Sequence, residues 1–366
     1  MTKIMIDIPG ERTYEVRVAF GALSHITQAV HECAPSRKVF LITDDVVADP
    51  YAQTVARDLR SQGFTVTVAR VPSGEESKSI NCAGELWDSM AQAKLTRDSC
   101  VVACGGGVVG DLAGFVGSTY MRGLPVIQIP TTLLSMVDSS VGGKTAINLG
   151  EGKNLVGTFW QPAFVCADLN VLETLPEREW ACGCAEIAKS AAIDSDSFFF
   201  WLVDNADQLA KRSGEVVQEA VTKSIVFKAS VVSQDKAETQ GIRECLNYGH
   251  TLAHAIEKAA GYGTYSHGHA VAEGMRFAAR LGVALAGTSL EFIKAQDELL
   301  DTLGLPALNF KADPQLLLEI MQSDKKVRAG HLRFVIPEDV GKWRVETVDA
   351  ALVLEYLEAW QRTLAN

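Results

Sequence analysis

The sequence predicts an α/β chain in two parts: an N-terminal α/β domain with a mostly parallel sheet, then a mostly α-helical C-terminal domain. Three observations predict it. Apolar strand-like runs alternate with helical patterns up to about residue 175; helical periodicity takes over from 176 to the end; and a glycine-rich run, Gly105-Gly106-Gly107-Val108-Val109-Gly110-Asp111, joins one apolar run to the next helical stretch. Strands that alternate with helices pair in parallel and are covered on both faces.

In order, residues 1–18 alternate like a strand, and Lys38–Asp44 (KVFLITD) is an apolar run ending in an acid. A helical stretch follows over 48–61, then the β-branched run Thr65–Val71 and a second helical stretch over 80–94. Ser99–Cys104, Pro125–Pro130 and Phe164–Asp168 complete the strands. Beyond Pro176 the expected helices are 177–193, 196–212, 215–235, 244–260, 268–287, 289–303 and 314–323, with one extended segment at Leu332–Pro337. The expected domains are therefore 1–175 and 176–366, with the active site in the cleft between them.

Bulk properties narrow the function. The 366 residues carry a net charge of −11, which argues against nucleic acid as a partner, because binding a phosphate backbone needs a basic surface. A local cluster of Lys and Arg still accommodates a small anion. The longest apolar run, Phe198–Val203, is too short to span a bilayer, so no membrane partner is expected, and the N-terminal stretch lacks the pattern of a signal peptide. Eight cysteines, none in a CxxC pair, are too sparse for a disulfide scaffold and point to a reducing cytoplasm.

The glycine run lets a backbone approach a phosphate, and the helix it opens offers free N–H groups. Asp44 ends a strand where an acid can accept hydrogen bonds from ribose hydroxyls, although a helix-capping acid reads the same way. Glu75 and Lys78 lie in a polar loop, Ser73–Lys78, that is either a surface turn or a nucleotide contact. Asp138, Gly142, Gly143, Lys144, Lys153 and Asn154 then gather charge and glycine within a short span, as a pocket for phosphate and sugar hydroxyls would. Arg122 is a further candidate for an anion.

Four of the seven histidines fall between 250 and 269: His250, His254, His267 and His269. Such density points to a metal or an acid–base site. A catalytic zinc needs three protein ligands, and Glu186, charged within a stretch of small apolar residues, is the best carboxylate candidate. The alternative is a helix-surface acid pairing with Lys189 at i+3. Spacing alone would choose His250 and His254, four apart on one helical face. Lys189, Lys228, Arg243, Asn247 and Lys325 add cationic or amide groups, and Arg243 and Asn247 could share the face of His250.

Taken in order, GGGVVGDLAGFVGSTYMRG (105–123), IPTTLLSMVDSSVGGKTAIN (129–148), GKNLVGTFWQP (152–162), CAEIAKSA (184–191), NYGHTLAHAIE (247–257) and SHGHAVAEGM (266–275) resemble the 3-dehydroquinate synthases, of the sugar-phosphate cyclase superfamily, over nearly the whole chain. The resemblance implies NAD in the first domain, a divalent metal such as zinc or cobalt, and a homodimer. It implies conversion of 3-deoxy-D-arabino-heptulosonate 7-phosphate to 3-dehydroquinate and phosphate, through transient oxidation by NAD, phosphate elimination, reduction, ring opening and intramolecular aldol closure. It implies that Glu186, His250 and His267 hold the metal, with His254 on the substrate side. Asp138, Lys144, Asn154, Lys189, Lys228, Arg243, Asn247 and Lys325 would also face the substrate, and Arg122 and Lys153 its phosphate, Arg122 across the dimer interface. NAD would touch Asp44, Glu75, Lys78, Gly106, Gly107, Val108, Val109, Gly110, Asp111, Thr131, Thr132, Lys144, Lys153, Thr174 and Leu175. One departure is His269, where the family often has Glu. Other cyclases of the superfamily, such as an aminodehydroquinate synthase, are the near alternative, and metal-dependent polyol dehydrogenases the distant one.

Overall fold

The computed structural model describes residues 1–261, 263–323 and 332–363. Its strands are β1 (Thr2–Ile6), β2 (Tyr14–Ala19), β3 (Lys38–Asp44), β4 (Thr65–Val71), β5 (Cys100–Gly105), β6 (Val126–Pro130), β7 (Lys144–Leu149), β8 (Gly152–Phe159), β9 (Phe164–Asp168), β10 (Leu332–Asp339) and β11 (Lys342–Val348). Its α-helices are α1 (Ile26–Cys33), α2 (Gln53–Ser61), α3 (Ile80–Gln92), α4 (Gly107–Thr119), α5 (Glu177–Asp194), α6 (Asp196–Ala210), α7 (Gly214–Gln234), α8 (His250–Ala260), α9 (His267–Ala286), α10 (Leu290–Thr302), α11 (Pro314–Gln322) and α12 (Ala350–Thr363).

The chain separates into two compact units: residues 1–176 with 228–237, and residues 177–227 with 238–366. The second part of α7 thus packs with the first unit. Lys228 Nζ of that helix reaches Asp138 Oδ1 at 2.6 Å, and Lys236, two residues past its end, reaches Glu11 Oε1 at 2.6 Å.

In the first unit seven of the described strands form a sheet in the order β1-β2-β9-β6-β5-β3-β4, and β7 and β8 form a separate hairpin. Every neighbouring pair in that sheet is parallel except β1 with β2. The alternation of β3 explains the layers. Val39 and Leu41 face a core shared with Ile26, Val30, Val55 and Leu59 of α1 and α2, while Phe40 and Ile42 face one shared with Leu86 and Met90 of α3 and Leu112 and Val116 of α4. Strands β5, β6 and β9 are buried along their whole length, as expected of strands covered on both faces. The chain continues from β3 outward to β4, whereas β5 lies on the other side of β3. The carboxyl ends of β3 and β5 therefore flank a switch point, where open α/β sheets take their ligands.

The second unit is built around α5, which is buried from Trp180 to Ile193 on every face. Small residues (Ala181, Cys182, Gly183, Cys184, Ala185) let its neighbours come close. Two short hairpins, β7–β8 and β10–β11, were not anticipated beyond Leu332–Pro337, nor was α12. The helix expected over 244–260 is two pieces. A 3-10 turn spans Ile242–Asn247, Gly249 takes φ +79°, and α8 starts only at His250.

Candidate metal centre and nucleotide loops

Glu186 sits in the middle of α5 with 1% of its surface exposed. An isolated carboxylate at such depth is costly, so it must be compensated. Lys189, 2% exposed and one turn on, forms an ion pair with Glu186 Oε2 and donates to the Leu246 carbonyl at 2.8 Å. On the other oxygen, Oε1, two imidazoles converge: His250 Nε2 and His267 Nε2 each lie 3.6 Å away. That is too long for a good hydrogen bond. It is close to the edge of a tetrahedron of ligands around a zinc with bonds of about 2.0–2.1 Å.

The other ring nitrogens are spoken for. His250 Nδ1 donates to the Tyr248 carbonyl at 3.1 Å, and His267 Nδ1 faces Glu257 Oε2 at 3.4 Å. Each ring is thereby set with Nε2 toward Glu186, the arrangement a metal-binding histidine needs. Among the described residues, Glu186, His250 and His267 are the group whose ligand atoms all lie within 4.8 Å of one another. The donor set, one carboxylate and two imidazoles with a position left open, fits a divalent metal of the zinc class.

Electrostatics agree. Burial opposes ionisation of Glu186, but the Lys189 ammonium and the His267 ring outweigh it and bring the carboxyl down to about 2. Burial also works against charge on His267, yet the Glu186 and Glu257 carboxylates push that ring up to about 10. In the metal-free protein, a proton on His267 thus occupies the place of a cation.

His254 stands beside His250, with ring centroids 5.7 Å apart and edge to face, but outside this group. The i, i+4 pairing suggested by spacing is therefore not the one assembled, because the second histidine arrives from α9. His269 points elsewhere: its Nδ1 meets Ser266 Oγ at 2.7 Å. Glu257 was not singled out in the sequence. Its signal was there, since it follows His250 by seven residues and so shares its helical face.

Two glycine contacts bring the ligands together. At Gly268, a methyl group would press to 2.7 Å from the Cys182 carbonyl oxygen and still nearer its Cα, so α9 begins directly against α5, one turn before Glu186. Gly249 and Gly274 likewise meet backbone to backbone, which seats the start of α8 on α9.

In the first unit, the candidate residues cluster at the carboxyl ends of the parallel strands. The first turn of α4 follows Gly106 with no side-chain cap, leaving its N–H groups available to an anion. Asp44 Oδ1 accepts from Val46 N at 2.9 Å and Val47 N at 3.1 Å, so it also caps its own turn. Lys78, 4% exposed, donates to Asp111 Oδ2 at 2.6 Å and to Asn154 Oδ1 at 2.5 Å, tying the α4 turn to the β7–β8 hairpin. Burial pushes the Asp111 carboxyl upward, and Lys78 opposes that shift. Glu75 Oε1 accepts from Asn148 Nδ2 at 2.8 Å. Thr132 and Ser135 cap each other, and the Thr131 hydroxyl is buried with no hydrogen-bond partner among the described residues. Thr174 bonds Tyr51 at 2.6 Å, next to the buried Leu175.

Asp138 accepts from Lys228, while Lys144 is exposed at the start of β7 and Lys153 half-buried in β8. Asn154 (φ +55°), a residue type that tolerates the left-handed region, and Arg122 (φ +68°, after Met121 at +49°), which does so less readily, both hold left-handed backbones. In the second unit, Arg243 is buried and Asn247 half-buried on the 3-10 turn that precedes His250. Lys325 lies outside the described residues.

Gly268→Ala is expected to push His267 away from Glu186 and weaken zinc binding by about tenfold or more, measured by competition with a chelator. Gly84→Ala, whose methyl meets nothing within 4 Å, is the control and should bind like the parent.

Comparison with known proteins places this geometry. A family model described as 3-dehydroquinate synthase N-terminal matches residues 68–182, and one described as 3-dehydroquinate synthase C-terminal matches residues 183–327. The chain is 44% identical over 341 residues to a 3-dehydroquinate synthase of Rhodopirellula baltica, covering 91% of this chain and 90% of that one. Among solved structures it is similar to a 2-deoxy-scyllo-inosose synthase complexed with carbaglucose-6-phosphate, NAD+ and Co2+, at 27% identity and TM-score 0.89, covering 98% of this chain and 99% of that one. It is also similar to a 2-epi-5-epi-valiolone synthase from Streptomyces hygroscopicus with NAD+ and Zn2+ bound, at 25% identity and TM-score 0.87, with the same coverage. Matched in both halves by models of one family, and at 44% identity over most of its length to a named member, the chain belongs to the 3-dehydroquinate synthase family.

Proposed function

We propose that this chain converts 3-deoxy-D-arabino-heptulosonate 7-phosphate to 3-dehydroquinate and phosphate, as a cytoplasmic homodimer of the shikimate route to chorismate. The observation that carries the proposal is the cluster of buried Glu186 with half-buried His250 and His267 in a chain of this family. Identity to a named 3-dehydroquinate synthase, 44%, exceeds that to the two other cyclases, 27% and 25%, which favours this substrate over theirs.

Glu186, His250 and His267 hold the divalent metal, zinc or cobalt. NAD is held by Asp44, Glu75, Lys78, Gly106, Gly107, Val108, Val109, Gly110, Asp111, Thr131, Thr132, Lys144, Lys153, Thr174 and Leu175. When bound, NAD supplies a hydride acceptor restored within the turnover, and the metal supplies Lewis acidity toward substrate oxygens. The first turn of α4 and Lys153 orient the cofactor. Lys144, Lys228, Arg243 and Lys325 bind the substrate carboxylate and hydroxyls through charge-assisted hydrogen bonds. Asp138 sets the position of the Lys228 ammonium, and Lys189 that of Glu186. Asn154, Asn247 and His254 orient the hydroxyls. Arg122 and Lys153 hold the phosphate until it leaves.

The proposed homodimer is supported by the exposed apolar Met121, Leu155, Val156 and Phe159 near Arg122 in the sequence and on the β7–β8 hairpin. The eight cysteines, all free, support a reducing compartment. Among the described residues, no helix is long and apolar enough to cross a membrane.

The direct test supplies purified protein with zinc or cobalt, catalytic NAD and the heptulosonate phosphate. Phosphate and 3-dehydroquinate should appear in equal amounts with no net NADH. Absence of both products, or accumulation of NADH, would contradict the assignment. A second expectation concerns pH. Since His267 stays charged up to about 10 in the metal-free protein, and a metal needs the lone pair of its Nε2, metal binding displaces a proton from that ring. Glu186 is already ionised and releases none. Zinc affinity should therefore rise about tenfold per pH unit from 7 to 9, read by chelator competition. A flat profile would contradict the electrostatic account.

A further inference from the structure

We infer that Glu257 is a positioning residue of the metal centre, its carboxylate holding the Nδ1–H of His267 so that Nε2 remains the metal donor. The inference rests on the metal reading of Glu186, His250 and His267 and goes beyond it.

The geometry comes from one helical face. His250 and Glu257 are seven residues apart on α8. That helix therefore supplies both a ligand and the anchor for the ligand that α9 brings. Glu257 Oε2 lies 3.4 Å from His267 Nδ1, and its side chain is 11% exposed. The two histidines are held differently. His250 Nδ1 meets a neutral carbonyl, that of Tyr248, whereas His267 Nδ1 meets a carboxylate.

That difference has a chemical consequence. One carboxylate and two neutral imidazoles leave a divalent cation with a formal charge of +1. A second carboxylate hydrogen-bonded behind an imidazole makes that ring a stronger donor and adds negative charge without taking a coordination position. The open position stays available to substrate oxygens. In the neutral ring the same contact fixes the tautomer: with its one proton kept on Nδ1, the lone pair is left on Nε2.

The test uses the full chain and zinc. Glu257→Gln keeps the size of the side chain and an acceptor oxygen but removes the charge. Its zinc affinity, by chelator competition, should fall about 10- to 100-fold. Affinity within twofold of the parent would overturn the inference. If Glu257→Gln does not fold, proton–nitrogen spectra of the zinc-loaded parent decide. A proton on His267 Nδ1, assigned by its loss in His267→Ala, supports the inference, and a proton on Nε2 overturns it. Failure of the metal reading is seen separately: the parent would then bind no zinc, or His267→Ala would bind it equally well.

Discussion

A carboxylate buried inside a helix of small residues is the constraint on which the second unit depends. Glu186, at 1% exposure, cannot be left alone in a medium of low polarity. Everything that touches it answers that need: Lys189 on the same helix, His250 from α8 and His267 from α9. The helices reach it because the chain removes side chains where backbones must meet, at Gly268 against Cys182 and at Gly249 against Gly274. Breaking a buried charge cluster by removing one member leaves the others uncompensated, so the cluster specifies how these helices pack as well as what they bind.

The first unit solves a different problem. Its parallel strands present their carboxyl ends along one edge, and the loops that follow them collect there without any one residue dictating the arrangement. Lys78 is the exception. Its buried ammonium links Asp111, at the start of α4, to Asn154 of the hairpin, so one cation fixes the relation between two loops. The neighbouring Lys228–Asp138 pair plays a comparable part, drawing the second half of α7 into this unit.

The strands of the parallel sheet were legible because strands buried on both faces read as continuous apolar runs, as in Val101–Cys104 or Val165–Ala167. The β7–β8 hairpin was not, since Lys144–Leu149 and Gly152–Phe159 mix charge, glycine and apolar residues without alternation. The helix expected over 244–260 was cut short by Gly249, whose left-handed φ is invisible to periodicity. Likewise, spacing within one helix offered His250 with His254, whereas the centre pairs His250 with a residue of the next helix. His267 is legible only through resemblance to a family, whereas Glu257 is legible as the third residue of the face that carries His250 and His254. Contacts between helices are a tertiary property, and a period of 3.6 residues carries no information about them.

The central claim is that one carboxylate and two imidazoles of the second unit form a metal centre. The most direct measurement is zinc-edge X-ray absorption on the zinc-loaded chain. The account predicts a shell of oxygen and nitrogen at about 2.0–2.1 Å with the multiple scattering of two imidazoles and no sulfur at about 2.3 Å. A third imidazole would bring His254 or His269 into the shell, and a sulfur would bring in a cysteine such as Cys182. Either result would contradict the site as described.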